Sequence, residues 1–442
     1  MLISKVGLFT LLLFAGPWSR SFATRYVAIN GIDDGRDGIA QGSPLRTIQR
    51  AHDLASVGEE IIVGPGTYFE QVTITKDNLK FRAQNGPNTT FINGTDLLGG
   101  WTRVGTTNTW KTSAMTWDLT RKFGENQLFQ DTTMILQLRW PKNVSTDIVM
   151  PTMAKADGGT KNSTAKTTTI LDSDFKGGTE WVGAQIFINL AHHGFDGQGW
   201  VGTVTAASPG SITCDQPHSV GETVWAVGAD TEYYLFNPKQ GTITDENVDG
   251  RLGNGEWYKN GTGTSSTLYV KTGDGSQPNS TLTRNVYAKR RYFGFAGNGK
   301  ASGYTVDGFN LFGCSVTTFV NGDLNLTGDP TGCTGVSFKN LNIKYISHQL
   351  QTGDYQLEHA GWTGLVLNGS DHRAENCTIT YSATCAISIQ GNRHKVLNNK
   401  IYNTNYMCST AGAINTGRYN NGSKKSLDLE IGYNLISNTT VA

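Results

Sequence analysis

Near its C-terminal end the chain sets charged and imidazole side chains at matching places after glycines. Ser370, Asp371 and His372 follow Gly369. Asn392, Arg393 and His394 follow Gly391. Arg418, Tyr419 and Asn420 follow Gly417. With the glycines in register, Asp371 stands beside Arg393 and His372 beside His394. That predicts a polar ridge, a surface suited to a linear polysaccharide. The segment HQLQTGDYQLEHAGW, 348–362, adds His348, Asp354, Glu358 and His359 and is expected to fold over the same groove.

Two chemistries use such residues. Glycoside hydrolysis needs two carboxyl groups flanking the glycosidic oxygen. Asp354, Glu358 and Asp371 are the candidates. Elimination or epimerisation of a uronate needs a cation against the carboxylate and a base for the C5 proton. Arg393 or Arg418 offers the first, and His372, His394 or Tyr419 the second. His359, Arg418 and Tyr419 are candidate substrate contacts. For any single residue, a solvated turn with an ordinary Asp–Arg pair is the plainer reading, because surface ion pairs are common. The sequence has no P-loop, HExxH or Gly-x-Ser-x-Gly signature. It has no CxxC pair to suggest zinc. Acidic pairs such as Asp33-Asp34 and Asp245-Glu246 offer calcium ligands without EF-hand spacing. No cofactor or metal is therefore expected.

Repeats must position these residues. LVLNGSDHRAENCTI (365–379) matches ISIQGNRHKVLNNKI (387–401), with Leu367 over Ile389, Gly369 over Gly391 and Ile379 over Ile401. AINTG (413–417) continues the series. GVSFKNLNI (335–343) and YTVDGFNLF (304–312) resemble earlier coils. Near the N-terminus, an 18-residue offset places Ile61 on Leu79, Val63 on Phe81 and Ile74 on Ile92. A fixed period with short strands is a solenoid signature. A coil this short buries an apolar face only by stacking on its neighbours. The expected fold is all-β, a right-handed parallel β-helix solenoid. Asn340, Asn376 and Asn398 are expected to ladder between coils. SPLRTIQRAHDLA (43–55) predicts a short capping helix with Ser43 as N-cap and Pro44 first inside it.

Residues 95–295 break the rhythm and predict an antiparallel β-rich insert. Trp101, Trp110, Trp117, Trp140, Trp181, Trp200, Trp225 and Trp257 lie there. Core packing is the better reading for them, and sugar stacking the other. His192 and His193 are read as a surface loop.

The wider composition agrees. Of 442 residues, 54 are Gly, and charged residues make up 17%, which fits many turns. Net charge is +1, which gives no reason to expect nucleic acid. Lys5, the apolar run from Val6 to Ala15 and Ser21-Phe22-Ala23 predict a signal peptide over 1–23 and a secreted or cell-surface protein, periplasmic in some hosts. No segment is long enough to span a membrane. The six cysteines suit an oxidising compartment, and their pairing is not readable. The expected division is then 24–94 for the cap and first coils, 95–295 for the insert, and 296–442 for later coils. The last segment, EIGYNLISNTTVA, reads as the middle of a coil, so further coils are expected beyond Ala442.

WTRVGTTNTWKT, NQLFQDTTMILQLRWPKN, GEWYKNGTGTSSTLYVKT and VYAKRRYFGFAGNGKASGYTVDGFNL resemble segments of the secreted β-helix proteins that include glycoside hydrolase family 141. The resemblance implies the β-helix and a carbohydrate-active enzyme, a hydrolase before a lyase. A non-catalytic carbohydrate-binding or cell-surface solenoid is the reading from another class. If the leader reading holds, Edman sequencing of the secreted product starts at Thr24. Retention of Lys5 in the mature chain would overturn it.

Overall fold

A computed structural model describes residues 23–117, 126–142, 145, 147–189, 199–215, 227–263, 265–281, 284–319, 332–348, 364–407, 412–416 and 428–439. Glu358, Asp354, His359, Arg418, Tyr419, His192, His193 and Trp225 lie outside the described residues.

Short strands recur in a fixed order, each coil giving one strand to each of three sheets. The first sheet stacks Thr24–Val27, Glu60–Val63, Lys80–Ala83, Thr305–Asp307, Ser337–Lys339, Arg373–Glu375, Lys395–Leu397 and Glu430–Gly432. The second runs from Gly66–Tyr68 and Thr90–Asn93 to Lys400–Thr404 and Leu435–Thr439. The third runs from Val72–Ile74 and Phe293–Gly297 to Leu365–Ser370, Ile387–Asn392 and Ile414–Thr416. Every pairing in these sheets is parallel. Alternate residues turn inward. Phe81, Val306, Phe338, Ala374 and Val396 therefore form one buried column, and Ile92, Leu311, Ile343, Ile379 and Ile401 another. A single apolar core runs the length of the stack.

Leu367 pairs with Ile389, Gly369 with Gly391 and Ile379 with Ile401. The glycines are required here. Gly391 has φ +107°, and a Cβ on it would lie 1.9 Å from the Gly369 carbonyl oxygen. At the N-terminal end the register differs from the sequence expectation. Ile61 pairs with Phe81 and Val63 with Ala83, an offset of 20 (61 to 81) rather than 18. Ile92 pairs with Tyr68 in the second sheet, not with Ile74. A shift of two residues keeps every side chain on the same face, so the apolar pattern alone does not separate the two offsets.

The cap also starts later than expected. Leu45 makes a parallel bridge to Val27, and the helix is Ile48–Leu54 with Thr47 as N-cap. The Thr47 hydroxyl accepts from Arg50 N at 3.2 Å. The Glu70 carboxylate accepts from Ile48 N and Gln49 N at 2.9 and 3.0 Å. Leu45, Ile48, Ala51 and Ala55 are buried against the core.

Between Thr95 and Lys289 the chain leaves the solenoid and builds two further sheets. One orders Thr95–Leu97, Val286–Lys289, Leu128–Gln130, Thr133–Gln137, Glu256–Thr262, Ser265–Lys271, Trp110–Thr112 and Thr102–Arg103. It is antiparallel except where Thr133–Gln137 meets Glu256–Thr262. The other orders Arg139–Trp140, Glu232–Phe236, Gln185–Asn189, Gly199–Ser208, Ser211–Asp215, Thr167–Leu171 and Gly158–Asn162, all antiparallel. Trp101, Trp117 and Trp257 pack in the apolar cluster of the first of these sheets, and Trp140, Trp181 and Trp200 in that of the second. The solenoid then resumes as if uninterrupted. Phe295 pairs with Val72, Val306 with Phe81 and Leu311 with Ile92.

Cys214, Cys314, Cys333, Cys377 and Cys385 are buried free thiols. No helix among the described residues is long and apolar enough to cross a membrane. Because Ile389 is fully buried in the stack, Ile389→Ala should cost about 2–5 kcal/mol in denaturant unfolding. The exposed control Val57→Ala should stay within about 0.5 kcal/mol. Equal effects would contradict the stacking.

Candidate functional site

Asp371 and Arg393 occupy the turn that precedes the first-sheet strands. Both have left-handed φ, 59° and 57°. Asp tolerates this conformation and Arg seldom adopts it. Their side chains meet as a fork: Arg393 Nε and Nη2 donate to Asp371 Oδ1 and Oδ2 at 2.8 and 2.7 Å. The Thr334 hydroxyl also donates to Oδ2 at 3.1 Å. The hydrogen bond from Arg393 holds the Asp371 carboxyl below its ordinary range. Asp371 is thus ionised at neutral pH, with no proton to give. Its oxygens are already engaged, and so is the Arg393 fork.

The two histidines depart from the expected ridge. His372 and His394 are fully buried, not exposed beside Asp371 and Arg393. His372 Nδ1 accepts from Val336 N at 3.0 Å, so its Nε2–H donates to Asn368 O, also at 3.0 Å. His394 Nδ1 accepts from His372 N at 3.2 Å, and its Nε2–H donates to Gln390 O at 3.1 Å. The rings stack at 5.1 Å. Each imidazole satisfies backbone groups where the chain turns, and neither nitrogen is left to take a substrate proton. Burial pushes both pKa values down, His372 to about 4.

The asparagine ladder is one residue away from where it was expected. Asn340, Asn376 and Asn398 adopt left-handed turns. It is Asn399, fully buried, that bonds coil to coil. Its Oδ1 accepts from Cys377 N at 2.9 Å, and its Nδ2 donates to Asn434 Oδ1 at 3.0 Å. Asn340 Nδ2 instead donates to Asp307 Oδ1 at 2.7 Å. That pair lies in a groove of about 510 Å³ lined also by Arg82, Gln84, Asn342 and Asn376.

Of the four calcium candidates, Asp33 and Asp245 are committed elsewhere. Asp33 accepts from Arg46 N, Thr47 N and the Thr47 hydroxyl. Asp245 pairs with Lys111 and accepts from the Tyr269 hydroxyl. Among the described residues no cluster of His, Cys, Asp and Glu is placed to hold a metal.

Sequence reasoning passed over the junction between insert and solenoid. Phe129, Met134 and Leu136 of the insert pack on Tyr345. Phe187, Val201, Tyr234 and Phe236 pack on Ala383, Tyr406 and Met407. Polar groups are buried beside them. Lys289 Nζ donates to Gln127 Oε1 at 3.0 Å and also to Ile346 O. Asn126 Nδ2 reaches Gln137 Oε1 at 3.4 Å. Arg139 is 2% exposed, and its guanidinium carbon lies 4.5 Å over the Tyr234 ring. His348 is 4% exposed. Arg139 Nε and Nη1, His348 Nε2 and Asn126 Oδ1 have no hydrogen-bond partner. Arg139 and its neighbour Trp140 also line a cleft of about 300 Å³ with Trp181, Lys142, Lys176 and Arg251. The sequence signal was an arginine inside the apolar alternation of MILQLRW, which reads as solvent-facing.

No family model and no curated protein matches the chain. Solved structures do. One described as a glycoside hydrolase is 11% identical, with a TM-score of 0.45 over 94% of this chain and 96% of its own. XylC in complex with xylose is 17% identical, with a TM-score of 0.41 over 93% of this chain and 58% of its own. The Gp54 tailspike of Acinetobacter baumannii bacteriophage AP22, in complex with a capsular saccharide, is 13% identical, with a TM-score of 0.13 over 78% of this chain and 53% of its own. Likeness at this level assigns no activity.

The buried imidazoles set an acid limit on the fold. Unfolded, they protonate near 6.5; folded, only near 4 for His372 and 3 for His348. The unfolded chain therefore binds more protons across that interval. Their contribution is intact above about pH 6.5 and declines toward pH 4, by up to about 1.4 kcal/mol per pH unit for each group. Urea unfolding at pH 7 and pH 5 should show the loss, and His372→Gln should flatten it. A pH-independent midpoint speaks against this.

Proposed function

We propose that this chain is an exported carbohydrate-active enzyme on a right-handed parallel β-helix, and that it hydrolyses glycosidic bonds in a plant or algal polysaccharide. The right hand follows from the general handedness of parallel crossover connections. The observation that carries the reading is the set of buried, unpartnered polar atoms at the junction: Arg139 Nε and Nη1, His348 Nε2 and Asn126 Oδ1. Each such group costs about 1–3 kcal/mol, and folded proteins keep few of them. Guanidinium, imidazole and amide groups all pair with hydroxyls, and sugars present many hydroxyls. The sequence resemblance to glycoside hydrolase family 141 points the same way.

Elimination fits the turn row poorly. The Arg393 fork is closed on Asp371, and His372 and His394 are occupied by backbone. Hydrolysis needs a protonated and an ionised carboxyl. Asp354 and Glu358, in the segment that follows His348 in the chain, are the proposed pair. Asp371, paired with Arg393, fits the acid role less well.

The full chain should release reducing ends from a plant or algal polysaccharide without the ultraviolet absorbance of an unsaturated uronate. Asp354→Asn and Glu358→Gln should each lower turnover about 100-fold or more at unchanged melting temperature. Absorbing products would move the protein to the lyases. Binding without turnover would make it a carbohydrate-binding solenoid.

A further inference from the structure

The cleft of about 300 Å³ in the insert is built by both of its sheets. The edge strand Arg139–Trp140 of the second sheet lines it, as do the turn residues Lys176 and Gly177 and the helix Val248–Arg251, which leads into a strand of the first. Leu138, Trp181 and Ile243 are buried and give it an apolar floor. Trp140 is half-buried, and Phe175 meets its ring edge-on at 5.0 Å. A Cβ on Gly177 would lie 2.7 Å from the Phe175 and Trp181 rings, so the aromatic wall is closely packed. The volume sits at the small end of the range for ligand pockets, about 300–1,000 Å³.

The rim is open and cationic. Lys142, Lys176 and Arg251 are exposed, and Glu180 is the one acid among the described lining residues. Lys142 is balanced by Glu256 at 3.1 Å. Arg251 stands 3.8 Å from Glu180, whose Oε2 already accepts from Gly178 N at 3.0 Å. Lys176 donates to Ser173 O. Among the described residues no ion pair holds Lys176 or the buried Arg139. Two positive charges are thus in surplus at this cleft, on a chain whose net charge is +1.

We propose that the cleft binds an acidic sugar residue, carboxylated or sulfated, with its ring against Trp140 and its anion drawn to the cationic rim. Aromatic faces take the apolar face of a ring, and lysine and arginine take the anion through charge-assisted hydrogen bonds. A neutral sugar leaves the surplus charge unmet, and a bare anion leaves the aromatic wall unused. The inference rests on the carbohydrate reading and narrows it to anionic polymers.

The test is calorimetric binding to the full chain of oligogalacturonides, carrageenan oligosaccharides and xylo-oligosaccharides, which are carboxylated, sulfated and neutral. At least one acidic probe should bind tenfold or more tightly than the neutral one, and the tighter of the two tells carboxylate from sulfate. Polyglutamate of matched charge, which has no sugar ring, should bind at least tenfold more weakly than that probe. The double variant Lys176→Gln/Arg251→Gln changes two exposed side chains. It should keep the wild-type melting temperature, weaken the acidic probe at least tenfold and flatten its salt dependence. No binding of either acidic probe, equal affinity for the neutral probe or for polyglutamate, or wild-type affinity in the double variant overturns the inference. If the wild-type chain still cleaves a polysaccharide, the inference alone falls. If it neither cleaves nor binds any, the carbohydrate reading falls with it.

Discussion

Coil-to-coil backbone pairing is the constraint on which the molecule depends. Each coil donates to and accepts from its neighbours in three sheets, and a side chain points inward only if its counterpart one coil away does the same. Leu367 on Ile389, continued through Ile387 on Ile414, is that condition at one corner. The insert obeys it too. Residues 72–92 and 293–312 pair as adjacent coils although the whole insert lies between them in sequence. An insertion of this size is tolerated because its ends leave and re-enter at the same level of the stack, so the pairing on either side is preserved.

What the sequence made legible follows from this constraint. Where two coils have equal length, as in 365–379 and 387–401, the register can be read directly, because Gly369, Gly391 and the apolar residues repeat together. Where turns differ in length, only the parity of the pattern is fixed. Ile61 on Phe81 and Ile61 on Leu79 bury the same face, and hydrogen bonding decides between them. The capping helix kept its apolar face and lost its expected first turn, since Leu45 is taken by Val27 and the N-terminal amides are bound by Asp33 and Glu70. These partners lie far along the chain, beyond the reach of a capping motif.

The site was less legible than the fold. Asp371 and Arg393 were placed side by side from glycine register, and they meet. The same register put His372 beside His394, which also holds, but whether a turn residue faces outward depends on its backbone conformation. Left-handed φ at Asp371 and Arg393 swings the next residue into the wall. Likewise no repeat or motif marks Arg139 for burial, and it lies on the edge strand of its sheet. It is buried because the solenoid's Tyr406 and Met407 close over the same sheet, a contact between segments distant in sequence that no local pattern encodes.

The two regions treat their buried titratable groups differently. In the solenoid wall His372 and His394 each accept from the preceding coil with Nδ1 and donate within their own coil with Nε2, and Asn399 bridges coils with both side-chain atoms, while the buried hydroxyls of Ser315, Ser337 and Thr404 have no partner. Bonding of this kind makes the two imidazoles and Asn399 structural. At the junction, a buried guanidinium is supported by the face of Tyr234 and the more distant charge of Glu256. Replacing such a charge with an apolar side chain of similar size tends to be neutral or stabilising, so stability alone does not account for arginine there. Glu256 does not complete the accounting, because its own carboxylate is engaged by Lys142 and by Gly253 N. The guanidinium is therefore held by the Tyr234 face and a distant carboxylate alone, with Nε and Nη1 unpaired, whereas the solenoid's buried imidazoles are fully bonded.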